Sequence, residues 1–153
     1  MDLFAGSGAV GIEALSRGAK IAIFVDLNRK AVEVVRENLE STGLSDRAEV
    51  YAVDVIRALN LLDRKRAKFD VIFMGAPYDS PLLEKALVKL GETDLLTAAG
   101  VVVAEHRKQH KLKDKYGDLE VFRETRYGET VLSFYNEKKL NPSPSSMEKG
   151  VKG

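Results

Sequence analysis

The residues best placed to do chemistry open the chain. Asp2-Leu3-Phe4-Ala5-Gly6-Ser7-Gly8-Ala9-Val10-Gly11 runs an apolar strand into a G-x-G-x-x-G turn and on into a helix. Such glycines allow a tight turn and let a ligand lie against bare backbone at a helix N-terminus. Asp26 closes the next strand about 20 residues on, where a carboxylate accepts hydrogen bonds from both hydroxyls of an adenosine ribose. Together these features suit any cofactor built on adenosine, while the glycines alone are also compatible with simple helix–strand packing.

Two further acids narrow the cofactor. Asp2 sits four residues ahead of Gly6, where strands that bind dinucleotides are usually purely apolar, and the cationic methionine end of S-adenosyl-L-methionine would favour a carboxylate there. Asp54, in Val53-Asp54-Val55, can accept from an adenine amine or serve as the N-cap of the next helix. Asp2, Phe4, Gly6, Gly8, Gly11, Asp26, Leu27 and Asp54 form the candidate cofactor-binding set, and no metal is expected.

These positions need a scaffold that brings strand ends together. Short β-branched runs alternate with stretches of helical period, the pattern of βα units on a parallel sheet. Strands are expected at Met1 to Phe4, Lys20 to Val25, Ala48 to Ala52, Phe69 to Met74 and Gly100 to Glu105. Helices are expected at Val10 to Arg17, Arg29 to Thr42, Val55 to Arg64, Pro81 to Gly91 and, weakly patterned, Lys108 to Lys115. In the second helix Ala31, Val34, Val35, Asn38 and Leu39 form the expected apolar stripe, and Gly43 follows as its left-handed cap. Leu119 to Arg126 and Thr130 to Tyr135 alternate with period two around Tyr127-Gly128-Glu129, which reads as an antiparallel hairpin. The result is an α/β, Rossmann-like domain over residues 1–136 with a seven-stranded mixed sheet. The Asn-, Pro- and Ser-rich stretch 137–153 reads as a disordered tail. The first strand begins at Met1 with fewer residues than the usual 5 or 6 of a strand, so the chain reads as lacking the segment before it.

Composition excludes several classes. A chain of 153 residues, 44% hydrophobic, suits one domain. It has no cysteine, hence no disulfide framework and no thiolate zinc site. No apolar run reaches the roughly 20 residues of a membrane span, and no secretory leader opens the chain, so a cytoplasmic protein without a membrane partner is expected. Lys and Arg total 24 against 23 Asp and Glu; this balance does not suit a domain gripping nucleic acid over its whole surface. Two local basic runs remain as phosphate-contact candidates or solvated faces: Arg64 to Lys68, and Arg107 to Lys115.

DLFAGSGAVGIEALSRGA, FVDLNRKAVEVVRENLE and RYGETVLSFY closely resemble the RsmD family of 16S rRNA guanine-N2 methyltransferases, over about Met1 to Tyr135. The resemblance implies a class I methyltransferase fold, S-adenosyl-L-methionine over the first glycine turn, a ribose-binding role for Asp26 and an adenine-side role for Asp54. It also implies 16S rRNA, or a small-subunit assembly intermediate, as partner. The family's catalytic motif is Asp-Pro-Pro-Tyr; this chain has Gly75-Ala76-Pro77-Tyr78. In the family motif the first side chain and the adjacent carbonyl accept the hydrogens of the guanine amine, whose lone pair is otherwise delocalised. Gly75 offers no side-chain acceptor, whereas Pro77 stiffens the loop and Tyr78 can stack on a flipped base. Loss of one such group typically removes about 3 kcal/mol of transition-state stabilisation, so activity is expected to be reduced. Asp79 is a candidate substitute or a helix cap. Glu105, His106 and Tyr127 are weaker site candidates. The competing readings are a catalytically lapsed domain acting as an RNA-binding or protein-interaction module, kept open by Gly75 and Ala76, and a nicotinamide dehydrogenase, disfavoured by Asp2 and the terminal hairpin.

Overall fold

The structure, a computed structural model, describes residues 1–137; of the expected tail 137–153, Glu137 ends the last strand and the rest lies outside the described residues. Its elements are β1 (Asp2–Leu3), α1 (Ala9–Ser16), β2 (Ala22–Val25), α2 (Arg29–Ser41), β3 (Ala48–Tyr51), α3 (Val55–Arg64), β4 (Phe69–Met74), α4 (Leu82–Glu92), β5 (Leu96–Arg107), β6 (Lys115–Tyr116), β7 (Leu119–Tyr127) and β8 (Thr130–Glu137). They form one sheet of eight strands in the order β3-β2-β1-β4-β5-β8-β7-β6. The first five in that order run parallel, and β8, β7 and β6 add antiparallel pairs. This is the Rossmann-like α/β arrangement expected, with one strand more than the expected seven.

The extra strand falls where a weak helix was expected. Lys108 to Lys115 is not helical, because its backbone groups are bound elsewhere: Lys108 N–H donates to the Glu129 carbonyl, Lys113 N–H to the Tyr116 hydroxyl, and the Asp114 carbonyl accepts from Val121 N–H. Leu112 is the sole apolar residue between Arg107 and Tyr116, so a helix there would have no stripe to bury. The stretch instead ends in β6, whose Tyr116 is buried and donates its hydroxyl to Glu84 of α4 at 2.8 Å.

Two apolar layers hold the sheet. On one face Leu15 of α1 and Val35 and Leu39 of α2 pack on Ala22 and Phe24. On the other, α3 and α4 bring Leu59, Leu62, Leu87 and Leu90 against Ile23, Val25, Ile72 and Val102. The buried stripe of α2 is Val32, Val35 and Leu39, rotated slightly from the expected one; Val34 is 41% exposed. Asn28 caps the helix, accepting from the N–H groups of Lys30 and Ala31 and so starting it at Arg29. Gly43, at φ +72°, ends the helix region as expected. Among the described residues no helix is long and apolar enough to cross a membrane.

Candidate active site

The sheet order changes direction at β1, which lies between β2 and β4, and the crevice beyond the C-terminal strand ends at such a point is where α/β folds bind ligands. A cavity of about 520 Å³ opens there, lined by Phe4, Gly6, Asp26, Leu27, Asn28, Asp54, Val55, Ile56, Gly75, Pro77 and Leu82. The loops after β1, β2, β3 and β4 thus each contribute to one wall.

The turn after β1 is built tightly. Phe4 has φ +60°, a conformation costly for an aromatic residue. Two hydrogen bonds just after it secure the turn: Ala5 N–H to the Val25 carbonyl and Gly8 N–H to the Ala5 carbonyl. Asn38 of α2 donates to the Ser7 carbonyl at 2.9 Å. Gly6 sits at φ +58° with open space on its side-chain side, so its backbone faces the cavity bare.

Asp26 is fixed from both ends. Its Oδ2 accepts from Gly6 N–H and its Oδ1 from Asn28 N–H, each at 2.9 Å. The carboxylate oxygens keep further lone pairs that can accept from a diol in the cavity. Leu27, 66% exposed, supplies an apolar surface beside it. Asp54 performs the capping role, accepting from Arg57 N–H at 3.1 Å, and lines the cavity as well.

Gly8, Gly11 and Asp2 face elsewhere. A methyl group on Gly11 would overlap the Phe24 ring, and one on Gly8 would press on Val35 and Phe24 at 3.2 to 3.3 Å; these two glycines let α1 settle on β2. Asp2, 3% exposed, accepts from Gly11 N–H at 3.1 Å in the first turn of α1. Burial pushes its carboxyl up to about 6, against the lowering effect of that hydrogen bond. It lines a second cavity, with Met1, Val10 and Phe73, rather than the first.

The β4 loop brings the motif residues together. Gly75 and Pro77 line the main cavity, while Ala76 is buried among the core residues. Tyr78 is 47% exposed, and the Arg107 guanidinium lies over its ring at 4.3 Å from the centroid, a cation–π contact that sequence spacing did not reveal. The basic run starting at Arg107 therefore begins beside the motif, whereas Arg64 to Lys68 lies before β4, at the opposite end of the strands, with Lys68 paired to Asp94 at 2.7 Å. Asp79 is exposed in a left-handed turn, φ +64°, and it is Ser80 Oγ that accepts from Leu82 N–H at the start of α4. His106 is buried, with Nε2 2.7 Å from Ser133 Oγ and Nδ1 2.8 Å from the His110 carbonyl; it ties β5 to β8 and to the following loop. Tyr127 stays exposed at the hairpin. Asn28, Ile56 and Leu82 join the cavity wall without having been singled out from sequence, since only the loop geometry turns them inward.

A profile of the family described as "Conserved hypothetical protein 95" matches residues 1–136. A Bacillus subtilis (strain 168) protein, YlbH, named as an inferred rRNA methyltransferase, is 40% identical over 138 residues, which cover 90% of this chain and 75% of the relative. The Haemophilus influenzae ribosomal RNA small subunit methyltransferase D is 33% identical over 113 residues, covering 73% of this chain and 58% of that protein. A solved structure from Haemophilus influenzae, described as an inferred methylase, superposes with a TM-score of 0.75 at 29% identity, covering 90% of this chain and 86% of the other.

Proposed function

Since the chain belongs to the conserved hypothetical protein 95 family, that of the RsmD-type rRNA methyltransferases, we propose that it transfers a methyl group from S-adenosyl-L-methionine to the exocyclic N2 amine of a guanine in 16S rRNA. The observation that carries this reading is the 520 Å³ cavity, whose wall joins Asp26 and the bare Gly6 backbone to Gly75 and Pro77 of the motif loop. Cofactor residues and substrate loop share one space.

The donor set suits the cofactor. Asp26, held by two backbone N–H groups, would take the ribose hydroxyls. Leu27 and Ile56 would sandwich the adenine, with Asp54 towards its amine. Gly6 and Phe4 would meet the chain that leads to the sulfonium. When bound, the cofactor supplies an activated methyl group, and placement in line with the attacking nitrogen provides much of the rate. The protein's part is to hold the guanine: Tyr78, backed by Arg107, offers its ring to a base turned out of its stack, and Pro77 stiffens the loop. Asp2 acts through α1, whose first turn it holds against β1.

The test is direct. Small-subunit rRNA transcribed in vitro, incubated with the chain and S-adenosyl-L-methionine and digested to nucleosides, should yield N2-methylguanosine by mass spectrometry. A methylated nucleoside other than N2-methylguanosine would move the substrate atom. The absence of any methylation, with RNA and cofactor both bound, would favour a catalytically lapsed RNA-binding module, the reading that Gly75 and Ala76 otherwise support.

A further inference from the structure

We propose that Glu105, at the C-terminal end of β5, is the catalytic residue that accepts the hydrogens of the substrate amine in place of the side chain Gly75 lacks. The inference rests on the guanine-amine reading above and names the group that serves it.

The geometry comes from strand pairing. Met74 pairs with Ala104 in the last β4–β5 register pair, and the next residues along are Gly75 and Glu105. A carbon placed at the side-chain position of Gly75 would lie 3.7 Å from Glu105 Oε2. That oxygen therefore occupies the neighbourhood into which a short carboxylate on residue 75 would project. A carbon there would meet it in ordinary van der Waals contact. Among the described residues no hydrogen bond or ion pair engages the Glu105 carboxylate, and it is only partly buried, so its lone pairs are available to a ligand. Gly75 also lines the main cavity, and Arg107, two residues along β5 on the same face, stacks on Tyr78. Acceptor and stacking ring thus lie at the ends of two adjacent strands, and Gly75 joins them to the cavity wall. Asp79 has no comparable position, being exposed beyond the motif.

The chemistry balances with this one group. Glu105 accepts a hydrogen bond from the amine and so concentrates the lone pair on nitrogen. Nitrogen forms its bond to the methyl carbon as the carbon–sulfur bond breaks, and that electron pair stays on sulfur, which becomes a neutral thioether. The surplus proton on nitrogen passes to the Glu105 carboxylate and from there to water.

Three measurements on the whole chain decide the matter. Glu105→Gln should slow methyl transfer to small-subunit RNA by about 100-fold or more, the scale of losing one preorganised group, while calorimetric affinity for S-adenosyl-L-methionine stays within twofold. Gly75→Asp added to Glu105→Gln should recover at least tenfold of that rate; the Phe73 ring, 3.2 Å from the new carbon, must move by a few tenths of an ångström. Short oligoribonucleotides carrying guanosine or inosine provide a readout without turnover: wild type should prefer guanosine at least tenfold, since inosine lacks the amine, and Glu105→Ala should bind the two equally. Wild-type transfer matched by Glu105→Gln, or an unchanged guanosine preference in Glu105→Ala, overturns the role of Glu105 while leaving the proposed function standing. A wild type that methylates no RNA removes the proposed function and this inference with it.

Discussion

At the level of single residues, the same residue type does different work according to what lies behind it. Gly6 and Gly11 belong to one motif, yet Gly6 bares backbone to a cavity and Gly11 makes room for Phe24. Spacing revealed the motif and Asp26 because both lie on one local βα unit. It could not reveal Glu105 beside Gly75, or Arg107 on Tyr78, because those pairs form across strands whose register depends on the whole sheet. Asp2 is a case where charge suggested a role and geometry supplied another partner, the Gly11 N–H. Its consequence is measurable. With its carboxyl pushed up to about 6 from an ordinary 3.8, the folded protein binds a proton between about pH 4 and 6 that the unfolded chain has released, so this residue's contribution to stability declines as pH rises through that window. Asp2→Asn keeps an acceptor for Gly11 without the charge. Wild-type stability relative to that variant should therefore fall between pH 4 and 6, by at most about 3 kcal/mol, as read from urea unfolding at each pH. A difference that is flat across the window would show that the carboxyl titrates normally.

Among the elements, those with strong patterning were legible and those set by remote partners were not. The helix from Arg29, its left-handed glycine and the terminal hairpin all follow from local sequence, and the structure has them. The Lys108 to Lys115 stretch departs from its expected helix because charged residues at helical spacing say nothing about where backbone groups bond; Glu129, Tyr116 and Val121 claim them. The junction of α1 with β2 is the packing on which the glycine turn after β1 depends. A methyl group on Gly11 would overlap the fully buried Phe24 ring. Gly11→Ala should cost about 1 to 3 kcal/mol, the range for overpacking a core, and chemical denaturation will measure it. Adding Phe24→Leu to that variant should recover part of the loss. If Gly11→Ala is as stable as wild type, α1 does not dock closely on Phe24.

Across the whole molecule, charge is nearly balanced, 24 basic against 23 acidic residues, and so placement matters more than total. The run from Arg107 to Lys115 begins at the motif end of the strands beside Tyr78. Affinity for RNA should fall steeply with salt, and replacing exposed Lys108 and Lys111 by Gln should lower the slope of log affinity against log salt by about 0.7 for each phosphate these lysines neutralise; an unchanged slope would remove them from the interface. The cofactor, motif and substrate assignments all depend on the cavity where the strand order reverses being a site for S-adenosyl-L-methionine. The most direct measurement is a calorimetric titration of the chain with that cofactor, beside Asp26→Ala and a nicotinamide dinucleotide. The expected result is one saturable site for S-adenosyl-L-methionine, binding at least tenfold weaker, about 1.4 kcal/mol, in Asp26→Ala, and no binding of the dinucleotide. Binding of the dinucleotide but not of S-adenosyl-L-methionine, or an affinity for S-adenosyl-L-methionine indifferent to Asp26, would contradict these assignments.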